Sequence, residues 1–414
     1  MTNWIDWKTM DGSVIAGRRV FIPGSSGEPT DFLDALKARP ELVAGSEIVT
    51  SFIAGINMFD FATIEPSVRV TSFFPLPTAA LDGPARMTVV PISYHEILEY
   101  IRCAGLDVAV LQVSPPDASG RCSLGPCVEF GVEAAAAAKC SIAVINENIR
   151  PGLGGAAIAL SDFDYAVRTV RPILDIPTPS ADQVSIKIAS HVASLIEDGA
   201  TIQTGIGKVP GQVLKALSQR RNLRIHSGIV LPGARDLVEG GVIEGVGTIV
   251  AASGAGDQAF YDWLEQSREV TLAEVSETHD LAKLVGIPKL TAINSAIEVD
   301  LLGQCNTEMV GGRYVSSAGG LPEFTIGAHK AKGGKSIIAL PATDRKGKAS
   351  RIVSRFAAGT PIAVPRHAVD FVVTEFGVAD LRGKSAQARA EALIAIASPA
   401  FQADLASSYG SRDA

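Results

Sequence analysis

The sequence predicts an α/β protein of buried, mostly parallel strands, on the strength of three observations. Of the 414 residues, 47% are hydrophobic and only 20% charged, a balance that excludes a disordered chain. Glycine numbers 40, enough to serve many tight turns between strands and helices. Apolar runs of strand length alternate with helical segments, the spacing of parallel strands joined by crossover helices. The length suits two or three domains at roughly 100–200 residues each. A formal net charge of −7 argues against a nucleic-acid partner, which is normally met by a basic face.

The least regular stretch comes first. RRVFIP reads as a strand amid Gly17, Pro23, Gly24, Gly27 and Pro29, and Phe32, Leu33, Ala35 and Leu36 share a helical face. MTVVPIS then reads as a strand, HEILEYIRCAG as a helix closed by glycine, and DVAVLQVS as a buried strand. After the turn PPDASGRCSLG come the alanine-rich helix VEFGVEAAAAAK and the strand CSIAVIN. DIPTPSAD, residues 175–182, is a linker, and Ser180 or Asp182 is placed to cap the helix that follows. The linker divides the chain into an N-terminal domain, 1–180, and a C-terminal domain, 181–414. In the second, QVSIKIASHVASLIEDG is a helix with Ile188, Val192, Leu195 and Ile196 on one face and Gly199 at its end. Strand ATIQT, loop GIGKVPG and helix QVLKALSQR follow. Strands are expected around GTIVAA, REVTLAE, KSIIALP and DFVVTE, and helices at SAQARAEALIAIA and PAFQADLASS.

Several chemistries find no support. The five cysteines are odd in number and show no C-x-x-C spacing, so reduced thiols are expected rather than a disulfide or zinc framework. The six histidines form no H-x-x-x-H pattern, and GSSG at 24–27 is not the G-x-S-x-G of a serine elbow, so neither metal nor triad catalysis is expected. MTNWIDWKTM has acids and tryptophans where a secretory leader has a basic start and an apolar run. No apolar stretch approaches the roughly 18 residues of a membrane span. A cytoplasmic protein with no membrane partner is expected.

Four motifs can carry chemistry. GIGKVPG lies between a strand and a helix, where backbone N–H groups favour an anion. It departs from the dinucleotide fingerprint, since Gly211 falls one position late, and from a phosphate-binding Walker loop, since Val209 follows Lys208. It is a site for another phosphate or a thioester, or a structural turn. In REVTLAEVSETHD, Val270, Leu272 and Glu274 share one strand face, and an acid closing such a face lies where α/β active sites form. A carboxylate held there is a nucleophile or base, or else a structural ion pair. Gly319 and Gly320 in SSAGG make a turn able to hold an oxyanion, and Gly333, Gly334 and Lys335 one able to hold a phosphate; both also read as plain turns. Glu375 closes a second buried strand in VVTEFGVADLRG, as a site acid or a member of an ion-pair network.

Taken in order, DVAVLQVSPPDASGRCSLG, EDGATIQTGIGKVPGQVL, INSAIEVDLLGQ, KGGKSIIALP and TEFGVADLRG resemble the acetyl-CoA hydrolase/transferase family, which includes acetate and 4-hydroxybutyrate CoA-transferases. The resemblance runs from about residue 85 to the C-terminus. It implies two open α/β domains of the CoA-transferase type, the second carrying a catalytic glutamate, with the active site between the halves. By this resemblance Glu274 is the nucleophile, with Glu277 and Glu298 as rival acids. Gly319 and Gly320 become the oxyanion donors and Glu375 a second acid that orders the site. Gln203, Gly205 and Gly207 match the family's first glycine turn, and Lys335 contacts CoA. The implied substrates are acyl-CoA and short carboxylic acids, with no permanently bound cofactor, in a homodimer or homotetramer. Hydrolysis of acyl-CoA is the alternative within the family; a non-catalytic metabolite-binding or isomerase-like protein is the alternative outside it. Ser317 and Ala318 stand where the family often has glycine. The run Ser276, Glu277, Thr278, His279 lacks the asparagine common after the nucleophile.

Overall fold

A computed structural model of the chain describes residues 2–76, 86–151 and 155–410. By packing, the chain divides into two units: Met1–Pro177 with Val250–Thr278, and Thr178–Ile249 with His279–Ala414. Of the three breaks, the first lies between Pro177 and Thr178, within DIPTPSAD. Residues 250–278, assigned by sequence order to the second domain, pack with the first, and Glu274 goes with them.

The first unit is built on an eight-stranded parallel sheet. Its order is Asn3–Trp4, Tyr165–Thr169, Cys140–Asn146, Val108–Val113, Arg19–Ile22, Glu47–Thr50, Arg69–Ser72, Met87–Val89. From Arg19–Ile22 the chain winds outward to Met87–Val89, then returns to the other side of Arg19–Ile22 with Val108–Val113. Helices on both faces explain why Val108–Val113 is buried along its whole length. Val20, Ile22, Phe32, Leu36, Ile48, Val110 and Val144 form the core beside it.

The second unit repeats the plan. Six of its strands run Arg224–Val230, Thr201–Thr204, Leu290–Asn294, Lys335–Ala339, Phe371–Thr374, Gly377–Asp380, and the last pairing alone is antiparallel. Here the winding reverses between Thr201–Thr204 and Leu290–Asn294. One core gathers Val299, Ile338, Leu340, Val372 and Leu393; a smaller one gathers Leu284, Leu290, Ala292 and Phe324.

Three elements are shorter than the sequence suggests, each for a local reason. The alanine-rich helix spans only Gly131–Ala137, because Glu129 adopts φ +34° just ahead of it. The strand in REVTLAE ends at Leu272, and the chain turns into the helix Val275–Thr278. The helix after the linker ends at Ser194, leaving Gly199 (φ +74°) to the turn into Thr201–Thr204.

At its start Asp182 is the cap. Its carboxylate accepts the Ser185 N–H at 2.8 Å, and the Ser185 hydroxyl closes the reciprocal bond to the Asp182 N–H at 3.0 Å. The exposed Lys208–Asp182 pair, 2.9 Å, adds little in solvent. Asp182→Ala is expected to destabilise the protein by about 1 kcal/mol, read as a lower urea midpoint at unchanged m-value.

Candidate active site

Glu274 stands two residues beyond the strand Val270–Leu272. Backbone bonds fix it from both sides. The Ala273 N–H donates to Ala251 O (2.8 Å) and the Val275 N–H to Glu129 O (3.1 Å), while Glu274 O accepts the amides of Glu277 (2.9 Å) and Thr278 (3.2 Å). Glu129 and Glu274 form an isolated parallel bridge. The Glu274 side chain is half-buried. Burial holds its carboxyl above the usual carboxylate range, the charges of Glu133 and Glu277 add to this, and Arg102 opposes it. Arg102 is itself gripped by Glu133, at 2.8 and 3.1 Å, and by Glu99.

The rival acids have other places. Glu277 is exposed on the short helix. Glu298 belongs to the strand Glu298–Asp300, where its carboxylate accepts from Asn306 at 3.3 Å.

The remaining residues singled out by sequence lie in the second unit. Gln203 is buried on Thr201–Thr204 and exchanges two amide hydrogen bonds with Asn294, 3.0 and 3.2 Å, across the reversal of the winding. Gly205 and Gly207 follow at the carboxyl end of that strand. No atom stands within 4 Å of where a Gly205 Cβ would lie, and Gly207 (φ +120°) opens the helix Lys208–Ala216 with no side-chain cap. The turn therefore presents bare backbone.

Gly319 (φ +57°) and Gly320 lead into the helix Leu321–Lys330. Buried His279 walls this loop. A Cβ on Gly320 would stand 2.6 Å from its Nε2, one on Gly228 2.9 Å from its Cε1 and Nε2, and its ring meets Phe324 edge-on at 4.8 Å. Glu375 lies past the end of Phe371–Thr374, where Oε2 accepts the Ala342 N–H at 2.9 Å and ties down the loop after Lys335–Ala339.

Lys335 differs. It opens its strand, at the amino edge of the sheet, whereas Gln203, Gly205 and Glu375 lie toward the carboxyl edge. Strands rise about 3.3 Å per residue, so most of the strand's length separates Lys335 from them. Its ammonium is engaged by Leu195 O (2.8 Å) and the Glu197 carboxylate (2.6 Å). This geometry suits an anchor between the turn after the helix Gln183–Ser194 and the sheet better than a free cation for CoA.

Sequence reasoning passed over two residues. His279 carried no motif. Glu129 did offer a signal: an acid inside the apolar run CVEF, which the structure buries beside the backbone of Glu274. Among the described residues, no group of three or more His, Cys, Asp or Glu is placed to hold a metal, and no helix is long and apolar enough to cross a membrane.

Comparison with known proteins bears on this arrangement. The family model described as "Acetyl-CoA hydrolase/transferase C-terminal domain" matches residues 256–409. A 4-hydroxybutyrate coenzyme A transferase from Clostridium kluyveri is 36% identical over 403 residues, 95% of this chain and 94% of that protein. A butyryl-CoA:acetate CoA-transferase from Anaerostipes caccae is 34% identical over 332 residues, 76% of this chain and 74% of the relative. The crystal structure of a 4-hydroxybutyrate CoA-transferase from Porphyromonas gingivalis matches with a TM-score of 0.80 at 28% identity, covering 99% of this chain and 98% of that one.

The wall behind Gly320 gives a direct test. Gly320→Ala is expected to lower both activity and melting temperature, because its Cβ has no room beside His279. Adding His279→Ala should restore much of the lost melting temperature. Equal melting temperatures for Gly320→Ala and the unaltered protein would contradict this packing.

Proposed function

The chain belongs to the acetyl-CoA hydrolase/transferase family and is a CoA-transferase, and from that premise we propose that it moves CoA between short-chain carboxylic acids through covalent intermediates on Glu274. The observation that carries the reading is the half-buried carboxylate of Glu274, clamped at a strand end by its own backbone. The carboxylate attacks the thioester carbonyl, and the tetrahedral oxyanion is met by loop N–H groups, for which Gly319 and Gly320 are the candidates. CoA thiolate leaves and an acyl-glutamyl anhydride remains. The thiolate then attacks the glutamyl carbonyl, giving a glutamyl-CoA thioester and a free acid. A second acid reverses the steps.

Each step trades one stabilised anion for another, so no group has to act as a strong base. Glu375 serves by fixing the loop at Ala342, and the bare turn at Gly205–Gly207 takes the approach of the CoA chain. CoA enters as substrate, and the reading needs no resident cofactor. A homodimer or homotetramer in the cytoplasm belongs to the same reading. Water reaching either intermediate would turn transfer into hydrolysis, the other activity in the family's description. Acid-dependent transfer measured against CoA release into water separates the two.

Incubation with acyl-CoA followed by borohydride is expected to reduce the glutamyl thioester and mark the peptide containing Glu274, read by mass spectrometry. Glu274→Ala should lower transfer by more than about 10³-fold. A marked peptide elsewhere, or full transfer by the variant, would overturn the assignment.

The charges around Glu274 predict a pH effect. Attack needs the carboxylate, so kcat/KM rises with pH through a pKa held above the ordinary range. Glu277 contributes to that rise and is exposed. Glu277→Gln is therefore expected to move the acid limb of the kcat/KM profile to lower pH. An unmoved limb would remove Glu277 from the field acting on Glu274.

A further inference from the structure

Glu129 is 3% exposed and holds φ at +34°, one of four non-glycine residues at positive φ among those described. Such backbone is costly and persists where its surroundings over-determine it. They do so here. The amides of Val128 and Glu129 both donate to Ala252 O, at 2.9 and 3.2 Å, and the Gly131 N–H donates to Val128 O at 2.8 Å. Side-chain hydrogen bonds from Ser253, Tyr94 and Cys127 reach the Glu129 carboxyl, yet its enclosed Oε2 has no partner among the described residues. The main-chain carbonyl of Glu129 accepts the N–H of Val275, the residue after Glu274. A turn alone would be better served by glycine, which adopts positive φ freely and buries no carboxyl with an unmet oxygen.

We propose that Glu129 is a positioning residue for Glu274: its enclosed carboxyl locks the left-handed turn whose carbonyl holds the Val275 amide, and so aims the nucleophile. The proposal rests on the reading of Glu274 as the nucleophile.

The chemistry of the enclosure makes this position pH-sensitive. Burial pushes the Glu129 carboxyl up to about 7, against the lowering effect of the bonds from Ser253, Tyr94 and Cys127. Tyr94 comes from the segment ahead of the helix Glu96–Cys103, Cys127 from the same loop, and Ser253 from the strand Ile249–Gly254; Glu274 faces it across the backbone bridge. Tyr94 and Cys127 keep their protons well above their ordinary ranges, through burial first and then the charge of Glu129. Below about 7 the enclosed carboxyl is neutral. Above it, a negative charge is buried in the turn and the hold on Val275 loosens.

The folded carboxyl keeps its proton to about 7 whereas the unfolded one releases it near 4.5, so stability falls as pH rises across that window. Glu129→Gln lacks that contribution, and its stability should decline less over the same interval. Glu265, also raised, to about 8, is common to both proteins and cancels in the difference.

The test is the kcat profile of the full chain with saturating acyl-CoA and acid. The unaltered protein should lose kcat above about pH 7. Glu129→Gln should match it near pH 6 and retain kcat where the parent declines. Glu129→Ala should lose about 10-fold or more in kcat, with KM for acyl-CoA changed by less than about twofold. A parental kcat in Glu129→Ala, or a parental pH profile in Glu129→Gln, overturns the proposal. If Glu129→Ala does not fold, the Glu129→Gln profile decides alone. Borohydride marking of the unaltered protein is run alongside. An unmarked Glu274 refutes the nucleophile reading, whereas a marked Glu274 with parental kinetics in both variants refutes positioning alone.

Discussion

Parallel strands cannot be joined by hairpins, and this constraint shapes the sheets of both units. Every crossover leaves the sheet and returns, so where the winding reverses, neighbouring connections depart to opposite faces and leave the strand ends between them uncovered. In the first unit the reversal lies between Arg19–Ile22 and Val108–Val113. The loop 23–27 follows the first of these strands, and Cys127 returns to it, with Sγ 3.7 Å from Gly24 O. The Ser26 hydroxyl donates to Gly254 O at 2.8 Å, which ties residues 250–278 into the same unit. In the second unit the reversal puts the Gln203–Asn294 amide pair beside the open turn at Gly205–Gly207.

Two of the four non-glycine residues at positive φ among those described, Ser25 (φ +52°) and Glu129 (φ +34°), belong to the first unit's loops. The strain at Ser25 is held by Asn57, whose Oδ1 accepts the Ser25 N–H at 2.9 Å and whose Nδ2 donates to Ser25 O at 3.1 Å and Glu28 Oε2 at 2.6 Å. Buried amide and carboxyl groups are costly unless bonded, so a network of this kind fixes a loop only when most of its members are satisfied. Extensive apolar cores tolerate such local costs, and the sheets supply the rigid edges on which the loops are mounted.

Most of the architecture was legible in the sequence because it rests on local signals. Buried strands such as DVAVLQVS, the Asp182 cap and the glycine turns declare themselves within a few residues. Glu274 was legible as an acid closing an apolar strand face, although the strand stops at Leu272 and a one-residue bridge to Glu129 completes the geometry. What escaped depends on distant parts of the chain. The burial of Glu129 requires Tyr94 and Ser253, far apart in sequence, and the role of His279 as a wall requires Gly228 and Gly320. The engagement of Lys335 by Leu195 and Glu197 is of the same kind: a lysine after two glycines looks available until the turn after the helix Gln183–Ser194 is placed. The return of residues 250–278 to the first unit is likewise a property of packing, invisible to a division by linker.

The total charge of −7 says little about the field at the candidate nucleophile, which is set by three neighbours. A carboxylate that attacks a thioester must be ionised and yet weakly solvated. Burial raises its proton affinity and with it its basicity, while ionisation at neutral pH stays extensive as long as the pKa remains below the operating pH. Glu133 and Glu277 push in the direction of burial, so unchecked they would trade ionised fraction for basicity. Arg102 opposes them, and its position is fixed by the two-point contact with Glu133 and by Glu99. Because the cation is bound to one of the very acids that raise Glu274, the two contributions vary together, and the field at the carboxylate is less sensitive to side-chain motion than either charge alone would make it. The proton affinity of Glu274 thus rests on burial first and then on how this small charge cluster is held, with Arg102 carried by the helix Glu96–Cys103.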